Sequence, residues 1–472
     1  MKIIQVHNYY QRPGGEDSVV STERSMLEAH GHKVVPYYKN NEALGTGLWA
    51  LGKASLQTLW NGETYKAFRK LLQNETPDVV HCHNTFPLIS PSVYWACAKE
   101  NVPVVQTLHN YRLLCLNAFL FRKADAVSNE LLAISPASEV TDNFHEKIVT
   151  ERNGSQKKAK SCELNAKGTV CELCVSKRFK WPGVRYGCYR DSKAGSLVIA
   201  MMLLFHKLIG TWSKKVTAYI ALTEFQKQKM MEGGLPAEKI FVKPNFIDGS
   251  LMKEPLATSQ QPTACKPESS AQCPVPDASQ RYALFVGRLS PEKGCDVLVR
   301  AWAGFQKELL ANSCELSADQ IPQLLIVGDG PEREALESLS SALGLPSSVS
   351  FLGQQPKESV LSLMRNAYIF IFPSVWYETF GLTVLEAGLC ETPSLVSSPT
   401  TTSGLISDKE SGLLFSLGDD LELAERLEWA FLHPEEMREV GETAKRNFEK
   451  KYSSTTNYNQ LMEIYQSIIR KR

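Results

Sequence analysis

No apolar run in this chain is long enough to cross a bilayer. The longest, Leu197 to Phe205, falls well short of the roughly 20 residues that a spanning helix needs. Met1-Lys2-Ile3-Ile4-Gln5-Val6-His7 enters a strand at once, so no signal peptide is expected and cytoplasmic residence is the default. A net charge of +1 gives no global reason to invoke nucleic acid. No internal repeat is evident at periods of about 20 to 50 residues, which excludes solenoids and propellers. The G-x-G-x-x-G spacing of a dinucleotide fingerprint is missing from the Gly14-Gly15 loop. The second strand ends in Tyr37-Tyr38-Lys39, where a ribose-binding Asp would be expected, so NAD binding is disfavoured. No Asp-x-Asp occurs anywhere, so a metal clamp on a diphosphate is not indicated.

What is present reads as a two-domain α/β protein. At 472 residues the chain exceeds what one hydrophobic core usually supports, and 43% apolar with 22% charged residues is a globular balance. Lys2 to Val6 reads as the first strand, and a helix after Gln11-Arg12-Pro13-Gly14-Gly15-Glu16-Asp17 runs to about His30, where Gly31 caps it. His32 to Tyr38, Asp78 to Cys82, Val102 to Leu108, Ala218 to Leu222 and Lys239 to Lys243 supply further strands. Such alternation implies a parallel, doubly wound sheet. From Glu254 to Arg281 the chain is rich in Ser, Gln, Pro and Ala without apolar period, the composition of a flexible linker. Arg122 to Lys160 is polar and reads as a surface insertion with room for one helix. The expected layout is an N-terminal domain over 1–253, a linker over 254–281, a C-terminal domain over 282–440 and a helical segment over 441–472 that packs back on the first domain.

The densest chemical signal is Glu378-Thr379-Phe380-Gly381-Leu382-Thr383-Val384-Leu385-Glu386-Ala387. Ala367 to Phe372 reads as a buried strand ended by Pro373-Ser374, and a helix begins near Leu382 after Gly381 gives the backbone freedom to turn. The unpaired amides of a helix start attract phosphate. Glu386, inside that helix, can accept two hydrogen bonds from the vicinal diol of a ribose, and Glu378, on the loop, can reach a second sugar. A phosphate flanked by two sugars is a nucleotide-sugar. The same spacing also describes two surface glutamates near a helix start, so the surroundings must decide. Tyr282 to Val286 is a buried strand running into a loop that carries Arg288 and Lys293, two cations suited to a diphosphate leaving group. Gln323 to Val327 ends in Gly328-Asp329-Gly330-Pro331, a tight turn able to admit a flat base. In an open parallel sheet these strand ends line one edge, where ligands bind.

Together these segments, from Tyr282 to about Phe415, resemble the C-terminal half of the retaining glycosyltransferase family 4, which has the GT-B fold: two facing Rossmann-like domains with doubly wound parallel sheets. The resemblance implies that Arg288 and Lys293 bind the donor diphosphate, Glu386 the ribose and Glu378 the transferred sugar. It also implies that backbone around Phe380, Gly381 and Leu382 cradles sugar and phosphate, and that the Gly14-Gly15 loop faces the donor phosphates across the cleft. His109, in Thr107-Leu108-His109-Asn110-Tyr111-Arg112, matches the family histidine that hydrogen-bonds the donor sugar. Asn110 follows it where the family commonly has Asp, so a carboxylate that orients the ring is missing. His83, in His81-Cys82-His83-Asn84, lies at another strand end and is equally readable as an ordinary strand-end histidine. Thr400-Thr401-Thr402-Ser403-Gly404 departs from the Gly-rich turn and following Glu of many relatives.

Twelve cysteines without a sign of secretion make a disulfide framework an unlikely plan. Cys171-Glu172-Leu173-Cys174, with Cys188 thirteen intervening residues later, has metal-ligand character, and Cys162 and Cys115 are candidates for a fourth ligand. Redox-active or simply buried thiols are the rival readings. A subset of family 4 carries a similar cluster, which implies Cys115 with Cys171, Cys174 and Cys188 around a structural zinc; no cofactor is expected to be required for the chemistry. Arg152 to Lys215 holds fourteen Lys/Arg against three Asp/Glu and leads into the apolar helix Ser196 to Ile209. Such a basic surface can rest on the inner face of an anionic membrane, where lipid-linked saccharide acceptors reside, or be a solvated face packed through one apolar stripe. Three functions compete: glycosyl transfer from a nucleoside-diphosphate sugar to a saccharide or lipid-linked acceptor; another GT-B reaction such as epimerisation or phosphorolysis; and a zinc-stabilised scaffold. Epimerisation needs a base for C–H abstraction and phosphorolysis a cofactor-binding lysine, and neither stands out. A scaffold leaves Arg288, Lys293, Glu378 and Glu386 unexplained.

Overall fold

A computed structural model describes residues 1–9, 14–40, 57–123, 168–247, 281–312 and 321–470. The bodies of the expected insertion and linker lie outside these residues. Two sheets of six strands form the frame, and every strand pair within them is parallel. In the N-terminal sheet the order is β2-β1-β3-β4-β7-β8: β1 is Lys2–Tyr9, β2 Lys33–Asn40, β3 Val79–Cys82, β4 Val104–Thr107, β7 Ala218–Ala221 and β8 Ile240–Val242. Between β4 and β7, β5 (Phe121–Lys123) and β6 (Gly168–Val170) pair antiparallel. The chain therefore leaves at Lys123 beside the point where it returns at Gly168, and Arg122 belongs to a strand rather than to the start of an insertion.

The C-terminal sheet has the order β11-β10-β9-β12-β13-β14: β9 is Tyr282–Val286, β10 Gln323–Val327, β11 Val349–Gly353, β12 Ile369–Phe372, β13 Ser394–Ser398 and β14 Leu413–Ser416. Its central strands are buried on both faces, as expected of a parallel sheet covered by helices. One face packs on α7 (Cys295–Asn312) and α11 (Asp420–Leu432), with Trp302, Phe305 and Leu427 inside. The other packs on α9 (Lys357–Asn366), α10 (Leu382–Leu389) and α12 (Pro434–Lys451), with Met364, Leu385 and Phe448 inside. α8 is Arg333–Ala342.

In the N-terminal domain, α1 (Gly15–Ala29) lies on one face of the sheet, with α2 (Gly62–Glu75) and α3 (Ser92–Lys99) on the other. α4 (Trp181–Arg185), α5 (Lys193–Leu208) and α6 (Glu224–Glu232) follow. The last helix, α13 (Ser454–Ile469), crosses to this domain. Its Leu461, Ile464, Tyr465 and Ile468 join Ile3, Val79 and Ala218 in one buried cluster. Polar contacts fix the crossing: Tyr458 OH meets His32 Nε2 at 2.8 Å, and Lys243 Nζ donates to Asn457 Oδ1 at 2.8 Å.

Candidate active site

Each sheet reverses its strand order once near the middle, and the loops at that reversal open a crevice at the strand C-terminal ends. In the N-terminal domain the reversal lies between β1 and β3. The loop after β1 leads to Gly14 and Gly15, and His83 follows β3. In the C-terminal domain it lies between β9 and β12. Arg288 and Lys293 follow β9, and Ser374 to Glu378 follow β12. The two crevices face each other. A Cβ built on Gly15 would touch Leu382 Cδ1 at 3.4 Å, Tyr111 OH is 3.1 Å from Thr401 Oγ1, and Phe119 meets Trp376 edge-on at 5.0 Å.

The loop after β9 folds back on itself. Arg288 pairs with Glu292 at 3.0 Å, and Ser290 Oγ donates to the same carboxylate at 2.7 Å. Gly294 adopts a φ of +64°, and a Cβ there would lie 2.1 Å from the Pro373 carbonyl. That close approach brings Lys293 onto the neighbouring loop, where its ammonium pairs with Glu378 and sits over the rings of Phe372 and Trp376 at 5.6 and 5.7 Å. Ser374 Oγ at 3.0 Å and Trp376 Nε1 at 2.9 Å donate to the same oxygen, Oε1 of Glu378. All these bonds end on Oε1.

Gly381 starts α10 at a φ of +94°, which an L-side chain tolerates poorly. A Cβ would also meet Thr402 Cγ2 at 2.5 Å. Thr402 is fully buried, and its Oγ1 has no hydrogen-bond partner among the described residues, so a hydroxyl stands beside the helix start. The segment Thr400 to Gly404, where the chain departs from its relatives, thus packs against the expected phosphate cradle. Phe380 is buried edge-on to Tyr452 and holds the loop down. Glu386 is buried on α10 and its carboxylate pairs with Lys357 at the start of α9. The turn Gly328–Gly330 lies flat on the β9 loop: Cβ atoms at Gly328 and Gly330 would fall 1.9 Å from Gly287 O and 2.2 Å from Leu289 O.

Across the crevice, Gly14 is the N-cap of α1 in extended backbone, and its amide donates to Asp17 Oδ2 at 2.8 Å. Asp17 Oδ1 in turn lies 2.7 Å from His7 Nε2, which fixes the loop to the end of β1. His109 follows β4 and, with His83, Asn84 and Arg112, lines a cleft of about 640 Å³ including the solvent at its mouth; Met202 and Trp212 form its apolar wall. Burial, followed by the neighbouring His83 and His7, holds the His109 imidazole well below the usual histidine range. Burial and His81 push His83 down to about 4. Both rings are therefore neutral at pH 7. Asn110 Oδ1 accepts from the Arg112 amide at 3.0 Å and shapes the turn rather than the imidazole.

Cys115, Cys171, Cys174 and Cys188 lie around β5, β6 and the loop to α4 as free thiols, and no three of their sulfurs fall within 4.8 Å of one another. Burial pushes the Cys174 thiol up to about 11, with Cys115 and Cys171 among the neighbours that add to it. Burial likewise pushes Cys188 up to about 12, with Cys115, Cys171 and Cys174 adding to it. The four thiols thus share one field. Beside them Lys180 is buried, donates to the carbonyls of Cys174 and Val175 at 2.7 and 3.2 Å, and is pushed down to about 8 by that burial. Cys162 lies outside the described residues. Lys357, Ser374, Trp376, Thr402, Tyr111, His7 and Asp17 went unassigned in the sequence. Lys357, Tyr111 and Thr402 meet partners distant in the chain, whereas Ser374 and Trp376 lie within four residues of Glu378, and the Glu16-Asp17 acidic start of α1 carried a local signal.

Residues 13–137 match the family model Glycosyltransferase Family 4, and residues 270–447 match Glycosyl transferases group 1. The phosphatidyl-myo-inositol mannosyltransferase of Mycobacterium leprae is 27% identical over 282 residues, 59% of this chain and 66% of that protein. The alpha-D-kanosaminyltransferase of Streptomyces kanamyceticus is 25% identical over 256 residues, 54% of this chain and 61% of its own length. The alignments thus span somewhat less than two thirds of these relatives. Among solved structures, Anabaena HepE in complex with UDP and glucose superposes with a TM-score of 0.59 at 16% identity, covering 99% of this chain and 100% of that one. Sucrose-phosphate synthase from Thermosynechococcus elongatus reaches 0.60 at 16% identity, covering 100% of both. At such identities the likeness concerns the fold, and the fold is GT-B.

The geometry at Gly381 gives a direct test. Gly381→Ala meets both a left-handed φ, worth roughly 1–2 kcal/mol, and the Thr402 side chain. Adding Thr402→Ala should recover the contact part of the loss but not the backbone part. Thermal unfolding of the two variants would show this as a partial return toward the native Tm; a full return would place the whole cost in the contact.

Proposed function

We propose that this chain, with a family 4 glycosyltransferase domain ahead of a group 1 glycosyl transferase domain, moves a sugar from a nucleoside-diphosphate sugar to a saccharide or lipid-linked acceptor. The setting is cell-surface polysaccharide synthesis, and the anomeric configuration is retained, as the family resemblance implies. The observation that carries the reading is the Lys293–Glu378 pair at the strand-order reversal, in front of the α10 start and opposite Gly15. Arg288, Lys293 and the first amides of α10 offset the charge that builds up on a leaving diphosphate, without a divalent metal. Glu378 meets the transferred sugar near its anomeric carbon. Glu386 takes the ribose diol in exchange for Lys357. The Lys357 side chain is 46% exposed and can turn to water, whereas that of Glu386 is only 11% exposed, so the hydrogen bonds of the diol must replace the ammonium on a buried carboxylate. The UDP and glucose held by the Anabaena fold neighbour support a nucleotide-sugar donor. The acceptor enters from the His109 cleft.

Cys115, Cys171, Cys174 and Cys188 would hold a structural zinc. The C-x-x-C spacing and the mutual influence of the thiols support the reading, but metal binding would have to draw the sulfurs together, since no three of them lie within 4.8 Å of one another. The metal would tie the β5–β6 hairpin to the start of α4 and α5 and take no part in the transfer. On the outer side of the same segment, Trp181 and Leu208 are 59% and 56% exposed, next to exposed Arg185, Arg190, Lys193 and Lys207. No helix among the described residues is long and apolar enough to cross a membrane. Apolar side chains ringed by cations suit peripheral contact with an anionic inner membrane face, which would bring a lipid-linked acceptor to the cleft.

The two glutamates separate by role. Glu386→Ala should weaken both the free nucleoside diphosphate and the intact donor by about ten- to hundredfold, the loss of a charge-assisted hydrogen bond. Glu378→Ala should leave nucleoside diphosphate affinity nearly unchanged while turnover falls steeply, because its contacts strengthen as the bond breaks. Calorimetry with the nucleoside diphosphates, beside turnover on a nucleotide-sugar panel, tests both. Equal weakening of the nucleotide by the two substitutions would end this division of roles.

Zinc analysis of the purified protein should return about one equivalent, and Cys171→Ser or Cys174→Ser should lower both metal content and Tm. Removing divalent metal with a chelator should leave donor binding intact as long as the fold is intact. A magnesium requirement for donor binding, restored by adding the ion back, would contradict the assignment of Arg288 and Lys293.

Sedimentation with vesicles measures the membrane contact. Binding should be stronger to phosphatidylglycerol than to phosphatidylcholine, fall with salt, and weaken in Trp181→Ser and Leu208→Ser. Indifference to lipid charge would remove the membrane from the proposal.

A further inference from the structure

Behind His109 a row of buried polar side chains runs into the N-terminal domain. His109 Nε2 lies 2.9 Å from His83 Nδ1, and the two rings stack at 5.2 Å. His83 Nε2 lies 3.1 Å from Glu23 Oε1, on α1. The same oxygen lies 3.0 Å from His81 Nδ1, and the other, Oε2, lies 3.4 Å from the Lys243 ammonium. The Glu23, His81 and His83 ligand atoms all fall within 4.8 Å of one another, which would also describe a metal site. The buried Lys243 ammonium already balances the carboxylate, and both His81 nitrogens are engaged, by Tyr465 OH and Thr107 Oγ1 at 2.7 Å each. A proton-ordering network fits these contacts better than a cation does.

The proton positions follow from charge. Burial pushes the Glu23 carboxyl up, but His81, His83 and Lys243 outweigh it and hold it well below the usual range, so it is a carboxylate. Glu23 Oε1 makes no linear hydrogen bond to either ring, so its hold on them is electrostatic. Gln5 competes for the same His83 nitrogen from 3.3 Å. Its amide is oriented by Tyr38 OH, which donates to Oε1 at 2.5 Å, and by Val20 O, which accepts from Nε2 at 3.2 Å, so Gln5 offers His83 a donor. An anion draws the proton onto His83 Nε2, whereas an amide N–H asks for a lone pair there. A full charge at 3.1 Å in a water-free interior outweighs an amide dipole at 3.3 Å.

We propose that Glu23 acts through His83 as the positioning residue for His109, in place of the carboxylate that Asn110 does not supply. The carboxylate holds the His83 proton on Nε2. His83 Nδ1 then accepts from His109 Nε2–H, and His109 keeps its Nδ1 lone pair to accept a sugar hydroxyl. The inference rests on the reading of the cleft as a sugar site only for what His109 receives; the proton order is a property of the free protein. The charged and titratable groups facing the pair are His7 with Asp17 and Glu16 from the β1–α1 side, Glu23 from α1, His81 from β3, Lys243 after β8 and Tyr465 from α13. With those contacts and its burial the pair stays neutral at pH 7.

Nitrogen NMR on the full chain with labelled histidine reads each ring's tautomer without substrate; His83→Gln and His109→Gln assign the signals. Wild type should show both His83 and His109 protonated on Nε2 at pH 7.5. In Glu23→Gln the side-chain amide and Gln5 both donate to His83 Nε2, so His83 should turn to the Nδ1–H form and His109 with it, inverting the ratio by about tenfold or more, a change of about 1.4 kcal/mol. Unchanged tautomers in a folded Glu23→Gln would overturn the proposal, since loss of packing alone would not invert a proton pattern. Should that variant fail to fold, wild type still decides: His83 protonated on Nδ1 is incompatible with the assignment. If the expected tautomers appear yet no nucleotide-sugar binds, the glycosyl-transfer reading fails and this one stands.

Discussion

One carboxylate oxygen ties the donor side of the crevice together. Glu378 Oε1 receives the Lys293 ammonium from the β9 loop and the Ser374 and Trp376 side chains from its own loop. Charge on a group this buried is tolerable only where it is paired and hydrogen-bonded. The pair therefore sets the spacing between the two loops that flank the strand-order reversal. Gly294 is pressed on the Pro373 carbonyl of the facing loop, where that spacing leaves no room for a side chain.

The N-terminal domain answers with a different device. Its Gly14-Gly15 turn is held by Asp17 and His7, and its histidines are backed by a buried carboxylate and the last helix of the chain. Because α13 supplies Tyr465 to His81 and Asn457 to Lys243, the final turns of the polypeptide complete the polar core behind the cleft. The two domains are thereby joined three times: through the chain segment after residue 247, through the α12–α13 crossing, and through the cleft contacts of Tyr111 with Thr401 and Phe119 with Trp376. Relative movement of the domains must work against the last two.

The cysteine segment between β6 and α5 stands apart in composition as well as in place. It offers little apolar core of its own, with Leu116, Val184, Ile199 and Leu203 forming a small satellite cluster. Small cores of this kind call for an added restraint. α5 packs on this segment in the same cluster and carries Met202 into the wall of the His109 cleft, so the stability of the segment and the shape of that cleft are linked.

The order of strands and helices was legible because apolar runs of strand length alternate with longer periodic ones, and a parallel sheet is the arrangement that such alternation permits. β10 was legible to the residue, and so was the α10 start, since buried runs bounded by Gly and Pro leave little choice. The strands at Val349, Ser394 and Leu413 carried weaker runs and were not read. Glu378 and Glu386 could be singled out because a strand end and a helix start lie close together in the chain, and Arg288 and Lys293 because both closely follow the buried run of β9. Which groups would face them could not be singled out. Lys357 reaches Glu386 from 29 residues away, Tyr465 reaches His81 from 384, and His83 meets His109 only because β3 and β4 are neighbours in the sheet. Local sequence determines which backbone a segment can adopt. Pairings between charges buried from distant segments depend on how the whole chain closes, because their strength comes from exclusion of water, and that exists only in the folded molecule.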